Sequence, residues 1–341
     1  MKIVYAPDSY GGFLTSPDAC RMVQKHLNEM GIEIHTHPMA DGGEGTDTAW
    51  AFHSNAAGGA RPFLEAAHFV GFDSAPEPLT PLLLHTGALG MAMHSLLDQP
   101  LTVGLGGTAT VDGGMGLLHA LGMNIRNGAG HPLPPSAIAM EQARCIDWPD
   151  PPNANLEVLV DVRTPLSESI RQYGPQKGVL PHQIERMTQA LLDWANLLNK
   201  WRVSQHKDPI PLDIEGGGAA GGIAFALAAC FDARLMPGAP HFAHVTGLAG
   251  SIRTPDGTPA LVIVGEGRMD ATSFEGKVVE VVCQKARQLG ATVVALVGSQ
   301  RDPIPPPPIG PDHIFISGET PNREEAFVRT IRDLGHWLNA Q

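Results

Sequence analysis

The sequence predicts an α/β protein of two domains, each built on a largely parallel sheet. Three observations lead there. Short β-rich runs that end in glycine or a small polar residue recur along the chain and alternate with helix-period stretches. Several of these runs are apolar on both faces, as strands covered by helices on either side must be. The length, 341 residues, corresponds to about two domains at ~100–200 residues each.

In chain order, the first expected strand runs from Ile3 to Ala6. A helix follows from Pro17 to Met30, with Met22, Val23, His26, Leu27 and Met30 on one face. Further strands are expected at Ile32 to Met39, Leu101 to Leu105 and Val158 to Val162, then a helix from Gln183 to Trp201 and an apolar one from Ile223 to Ala229. Leu261 to Val264, Val293 to Val297 and Ile314 to Ile316 complete the set. Strand-like runs at both ends point to a discontinuous Rossmann-like α/β domain, residues 1–60 plus 260–341. A glycine-rich α/β domain, residues 61–259, would be inserted in it. Pro305 to Pro308 reads as a polyproline connector, and Gly58 to Pro81 as a Gly/Pro-rich loop.

Composition removes several function classes. With 43% hydrophobic residues the chain is not disordered. Lys+Arg 23 against Asp+Glu 35 leaves −12, a field that repels phosphate backbones and anionic lipid, so neither nucleic acid nor membrane is expected as a partner. Cys20, Cys145, Cys230 and Cys283 are too far apart for a Cys-x-x-Cys pair and read as reduced thiols. No apolar run reaches the ~18 residues of a membrane span, and Pro7 and Asp8 interrupt the start too early for a signal peptide. A cytoplasmic location is the expectation.

The chemistry-bearing residues follow expected strands, where an open α/β sheet presents ligands to loops and helix N-termini. Gly104-Leu-Gly-Gly-Thr-Ala-Thr-Val-Asp-Gly-Gly114 reads as a phosphate cradle. Its glycines, Gly106 and Gly107 among them, let backbone N–H groups converge, while Thr108 and Thr110 add hydroxyls and Asp112 closes the run. A tight turn whose glycines only permit close packing gives the same pattern. Gly104-x-Gly106-x-x-Ala109 also imitates a dinucleotide fingerprint, but no acid stands between Asp112 and Glu141 to hold a ribose. Lys177 and Lys277 lack the following Ser or Thr of a Walker loop.

Asp41 and Glu44 flank glycines in a spacing that suits Mg²⁺, and equally suits a helix N-cap. Asp213 to Gly222 could be a second anion-binding helix start or a small-residue packing contact. The run from Val262 to Asp270 delivers Glu266, Arg268 and Asp270 within a few positions, with Lys277 close behind, a density of charge that packing alone does not explain. Asp161, at a strand end, could act as a general base or a surface turn residue. His35-x-His37 suggests metal only faintly.

Together these stretches resemble the bacterial-type glycerate kinase family. The resemblance is carried by Ala6-Pro-Asp-Ser9, Met39-Ala-Asp-Gly-Gly-Glu-Gly-Thr46, the loop Gly104 to Gly114, Gly174-Pro-Gln-Lys-Gly178, Gly218-Ala-Ala-Gly-Gly222 and Gly265-Glu-Gly-Arg-Met-Asp270, in that order, over about Lys2 to Gly298. It implies ATP- and Mg²⁺-dependent phosphorylation of glycerate to 2-phosphoglycerate or its 3-isomer, with glycerate and ATP as the partners. In that reading Asp161, Arg268 and Lys177 are the catalytic candidates. Asp8, Ser9, Gly106, Gly107, Thr108, Thr110 and Asp112 would contact substrate or phosphate, and Asp41, Glu44 and Asp270 would hold the metal.

The chain also departs from the family pattern. Gly11 stands where the family has lysine, Thr164 where it has Asn and Thr272 where it has Gln, and the segment between Trp50 and Phe63 is shortened. A relative that binds a small hydroxy acid or nucleotide with altered specificity or without turnover is the alternative expectation.

Overall fold

The computed structural model describes residues 1–57, 61–75 and 79–341. Eleven strands occur among them: β1 (Ile3–Pro7), β2 (His35–Thr36), β3 (Phe63–Glu65), β4 (Leu101–Gly104), β5 (Asn124–Arg126), β6 (Cys145–Asp147), β7 (Leu156–Val160), β8 (Arg234–Pro237), β9 (Leu261–Met269), β10 (Thr292–Gln300) and β11 (His313–Ile316). A five-stranded sheet has the order β11-β10-β9-β1-β2 and a four-stranded sheet the order β3-β4-β7-β8; every pairing in both is parallel. The expected fold class is therefore the observed one. A short antiparallel pair, β5-β6, lies outside the parallel pattern.

The chain forms two compact units: residues 1–41, 45–60 and 238–341, and residues 42–44 and 61–237. In the first, alternation along the strands supplies two cores, one for each face of the sheet. Val4, Ala6, Val262, Val264, Val293 and Ala295 meet Phe242 and Val282 of the helices Gly238–Val245 and Val278–Gln288. The intervening residues Ile3, Tyr5, Ile263, Val294 and Leu296 meet Val23 and Leu27 of the helix Ser16–Glu29 and Phe327 and Ile331 of the helix Arg323–Asn339. That two-sided burial is why these strands read as continuous apolar runs. Thr15 starts Ser16–Glu29 by accepting a hydrogen bond from the Asp18 amide at 3.2 Å, with Pro17 in the first turn.

In the second unit one core joins the four-stranded sheet to the helices Ile184–Ser204 and Ala219–Phe231, with Trp194 and Phe225 fully buried in it.

Several elements differ from expectation. Only His35–Thr36 of the Ile32 to Met39 run is strand, because Pro38 has no N–H to donate; His37 and Met39 still donate to Tyr5 and Pro7 carbonyls, each at 2.8 Å. The strands β9 and β10 are nine residues each, so Glu266 and Arg268 sit within β9 rather than after it. The strand β3 is too short for alternation to reveal and falls in the stretch read as loop. The Gly58 to Pro81 stretch and the shortened segment before Phe63 lie partly outside the described residues. Among those described, no helix is long and apolar enough to cross a membrane.

Candidate functional site

The second unit holds the glycine loop. After β4, Leu105 and Gly106 donate to the carbonyls of Leu159 and Gly42, both at 3.0 Å. A Cβ on Gly106 would fall 2.3 Å from Gly43 Cα, and one on Gly104 2.7 Å from the Gly42 carbonyl oxygen. These two glycines are there because backbone packs against them. Gly107 is different: its φ is +69, and the nearest atoms to a Cβ would be those of Ala67 at 3.3 Å and Glu44 at 3.9 Å.

Lys177 is the cation of this loop. Buried to 4% exposure, it donates to Thr108 Oγ1 at 3.2 Å and to the Thr110 carbonyl at 3.0 Å. Burial pulls its pKa down to about 8, against the opposing charges of Asp161 and Asp112. Thr110 Oγ1 is buried and has no hydrogen-bond partner among the described residues, an orphaned donor beside an ammonium. Asp161 follows β7, its Oδ2 3.1 Å from where a Gly106 Cβ would stand. Glu44, Gly106, Gly107, Thr108, Thr110, Asp161 and Lys177 are thus gathered around one loop.

Asp112 plays another part. Fully buried, it accepts from the Thr86 amide (2.9 Å) and hydroxyl (3.0 Å), from Gly116 N (2.9 Å) and from Gly114 N (3.2 Å). Burial raises its pKa even so, and its oxygens are spent on holding the loop closed. The Gly218 to Gly222 run is likewise a packing contact. A Cβ on Gly221 would lie 2.3 Å from the Thr110 carbonyl oxygen, and Gly113 donates to the Gly221 carbonyl at 3.1 Å.

In the first unit, a cavity of about 850 Å³ opens at the carboxyl ends of β1, β9, β10 and β11, with Asp8, Ser9, Glu266, Arg268, Asp270 and Lys277 in its wall. Asp8 leaves β1 by donating its amide to the Gly265 carbonyl at 2.8 Å, and its Oδ1 accepts from Ser9 N at 2.7 Å. Burial, followed by the charge of Asp41, pushes the Asp8 carboxyl well up. Glu266 is pushed up to about 7, first by burial, with Ser273 and Lys277 opposing. Its Oε1 is buried without a partner among the described residues. Asp270 lies in the opposite sense: the Thr272 hydroxyl (2.7 Å) and amide (2.9 Å) donate to its Oδ1, Arg268 Nε lies 3.3 Å from Oδ2, and its pKa is lowered by these contacts.

The cavity floor rests on Tyr10. Its hydroxyl donates to the Leu296 carbonyl at 2.7 Å and meets the Tyr5 hydroxyl at 2.8 Å, in the space that a Gly265 side chain would need. Gly11, with φ +44, also lines the cavity and has nothing within 4 Å of a Cβ position, so a side chain there would meet strain rather than a clash. Of the proposed metal residues, Asp41 and Asp270 belong to the first unit and Glu44 to the second. Sequence reasoning placed Glu266 in the charge-dense run that ends at Asp270 but gave it no role of its own, although a charge directly after an apolar strand run is a usable signal. It had no signal for Arg301 and Arg323, which line the cavity from beyond the recognisable segments.

A parallel α/β protein that gathers charged side chains and glycine loops at strand carboxyl ends has the build of a small-molecule enzyme. The comparisons make this particular: the chain belongs to the glycerate kinase family, whose model matches residues 3–60 and 47–334. It is a kinase, a transferase, of that family. It is 30% identical to the glycerate 2-kinase of Escherichia coli K12, over 89% of this chain and 87% of that protein. To the glycerate kinase of Bacillus subtilis 168 it is 29% identical, over 98% and 97%. Among solved structures, a Salmonella typhimurium LT2 protein crystallised as a candidate glycerate kinase 2 matches with a TM-score of 0.78 and 29% identity, over 100% of this chain and 98% of that one.

Proposed function

We propose that the protein phosphorylates glycerate, or a close hydroxy acid, with ATP and a divalent cation such as Mg²⁺. The observation that carries this reading is the buried Lys177 ammonium inside the glycine loop, beside an orphaned Thr110 hydroxyl. A cation and unused donors in a water-poor loop suit anionic phosphoryl oxygens.

In the second unit, Thr108, Thr110, Lys177 and the Gly107 backbone would hold phosphate, and Asp161 would accept the proton of the attacking hydroxyl. In the first unit, Arg268 and Lys277 would face an acid carboxylate, and Asp8 and Ser9 would hydrogen-bond its hydroxyls. The carboxylates Asp8, Asp41 and Glu266, with the charge of Asp41 acting on both Asp8 and Glu266, have the hard-oxygen chemistry a divalent cation takes. Asp270 and Glu44 are further candidates, with Asp270 already engaged by Thr272 and Arg268. When bound, the cation supplies charge neutralisation on phosphoryl oxygens.

Purified protein supplied with ATP, Mg²⁺ and D-glycerate should release ADP and form a phosphoglycerate in a coupled assay. Turnover at the no-acid background, with ATP still binding, would overturn the proposal.

A further inference from the structure

The cavity of the first unit holds more than a three-carbon acid can use. Its volume, about 850 Å³, lies in the range that encloses ligands much larger than glycerate. Part of its wall has no side chains: Gly11 lines it, and neither Gly11 nor its neighbour Gly12 has any atom within 4 Å of a Cβ position.

Its cations exceed the needs of one carboxylate. Arg268 is engaged by Asp270 at 3.3 Å, and Lys277 stands amid the charges of Asp8, Glu266 and Asp270. Two further guanidinium groups line the same cavity. Arg301 reaches Glu319 only at 4.0 Å, and Arg323 makes no hydrogen bond or ion pair among the described residues. In a chain of net charge −12, these two arginines bring positive charge to a cavity that also holds Asp8, Glu266, Asp270 and Glu319.

We propose that Arg301 and Arg323, with Ser299 of the same cavity lining, form a second anion subsite, and that the acid it takes is a four-carbon hydroxy dicarboxylate. The inference rests on the reading of this cavity as the acid site. Guanidinium forks match a carboxylate in two parallel hydrogen bonds, which an ammonium cannot do. Tartrate has the chemistry required: it carries the carboxylate and both hydroxyls of glycerate, with a second carboxylate on the carbon that in glycerate ends the chain. A polyphosphate fits less well, because Asp8, Glu266, Asp270 and Glu319 share the cavity and repel multiple negative charges, whereas hydroxyl groups hydrogen-bond to them.

The test compares ADP release on tartrate and D-glycerate, together with calorimetric binding of tartrate alone, for the wild type, Arg301→Ala and Arg323→Ala. Tartrate should show a kcat/KM at least ~10-fold above glycerate. Arg323→Ala should raise its KM and Kd about 10–100-fold while leaving the glycerate KM within about 2-fold, as expected for one lost charge-assisted contact. Arg323→Lys should recover only part of the loss. Equal effects of Arg323→Ala on both acids, or an effect on the ATP KM instead, would overturn the subsite, the latter assigning it to nucleotide phosphate. If glycerate is phosphorylated and tartrate neither binds nor reacts better, the subsite fails and the kinase reading stands. If neither acid is phosphorylated but tartrate binding depends on Arg323, the kinase reading fails and the subsite stands.

Discussion

Lys177 donates its ammonium proton to Thr108 Oγ1 at 3.2 Å, tying a buried cation to a hydroxyl of the glycine loop. The pair makes the loop's charge depend on pH. Because burial lowers the lysine from 10.5 to about 8, the folded state releases its proton earlier than the unfolded chain. The destabilising cost of the buried charge is complete below about pH 8 and is relieved as pH rises from there toward 10.5. Phosphate binding runs the other way. Nucleotide affinity should fall through one deprotonation near pH 8, and Lys177→Met should abolish that limb while lowering affinity at pH 7 about 10-fold or more. A pH titration of nucleotide Kd on both proteins checks this; a limb that persists in the variant would remove Lys177 from the cradle.

Gly106 and Gly107 should separate packing from ligand approach. Gly106→Ala places a methyl group 2.3 Å from Gly43 Cα, so it should cost about 3 kcal/mol or more, read as a large drop in Tm or loss of soluble protein. Gly107→Ala meets only Ala67 at 3.3 Å and the strain of φ +69, about 1–2 kcal/mol. Its loss of ATP affinity should therefore exceed its loss of stability. Matched losses would make both glycines packing residues.

Glu266→Gln tests the buried carboxyl whose Oε1 has no partner among the described residues. A carboxyl raised to about 7 is neutral and nearly isosteric with Gln at pH 5, so the two proteins should then unfold together. Between its ordinary 4.5 and about 7 the unfolded chain gives up this proton while the fold keeps it, so a cost to the fold accumulates and is complete above about 7. At pH 8, in chelator, the variant should be more stable by about 1–3 kcal/mol. Denaturant unfolding at the two pH values measures the difference; an equal offset at both would mean that Glu266 is already ionised at pH 5.

Asp161→Asn retains shape and removes the base. With the side chain at the Gly106 backbone rather than in a core, the fold should persist while kcat falls ~10²–10⁴. Steady-state kinetics with an unchanged Tm would support the role, and a near-normal kcat would exclude it.

Much of this was legible in the chain. The central strands of the five-stranded sheet were readable because helices cover both faces, which makes residues 261–264 of β9 and 293–297 of β10 apolar without interruption. The strand β3 and the pair β5-β6 were not, since three residues cannot display a period. The loop motifs announced chemistry, yet glycines needed for close packing and glycines that free a backbone for ligand are the same letter. Only the fold separates Gly106, pressed on Gly43, from Gly107, which is not.

The sequence by itself determined the fold class, the order of the loops and the family, because periodicity and ordered motifs are local properties of the chain. Tertiary structure alone decided which charges are live. Asp112 looks like a ligand in the sequence, but its oxygens accept from Thr86, Gly114 and Gly116, while Asp270 accepts from Thr272 beside Arg268. Arg301 and Arg323 carry no motif in the sequence and came to line one cavity with Glu266. The physical reason is that desolvation and pairing depend on neighbours far away in sequence, so the charge state of a side chain is set only when the strands that carry it are packed.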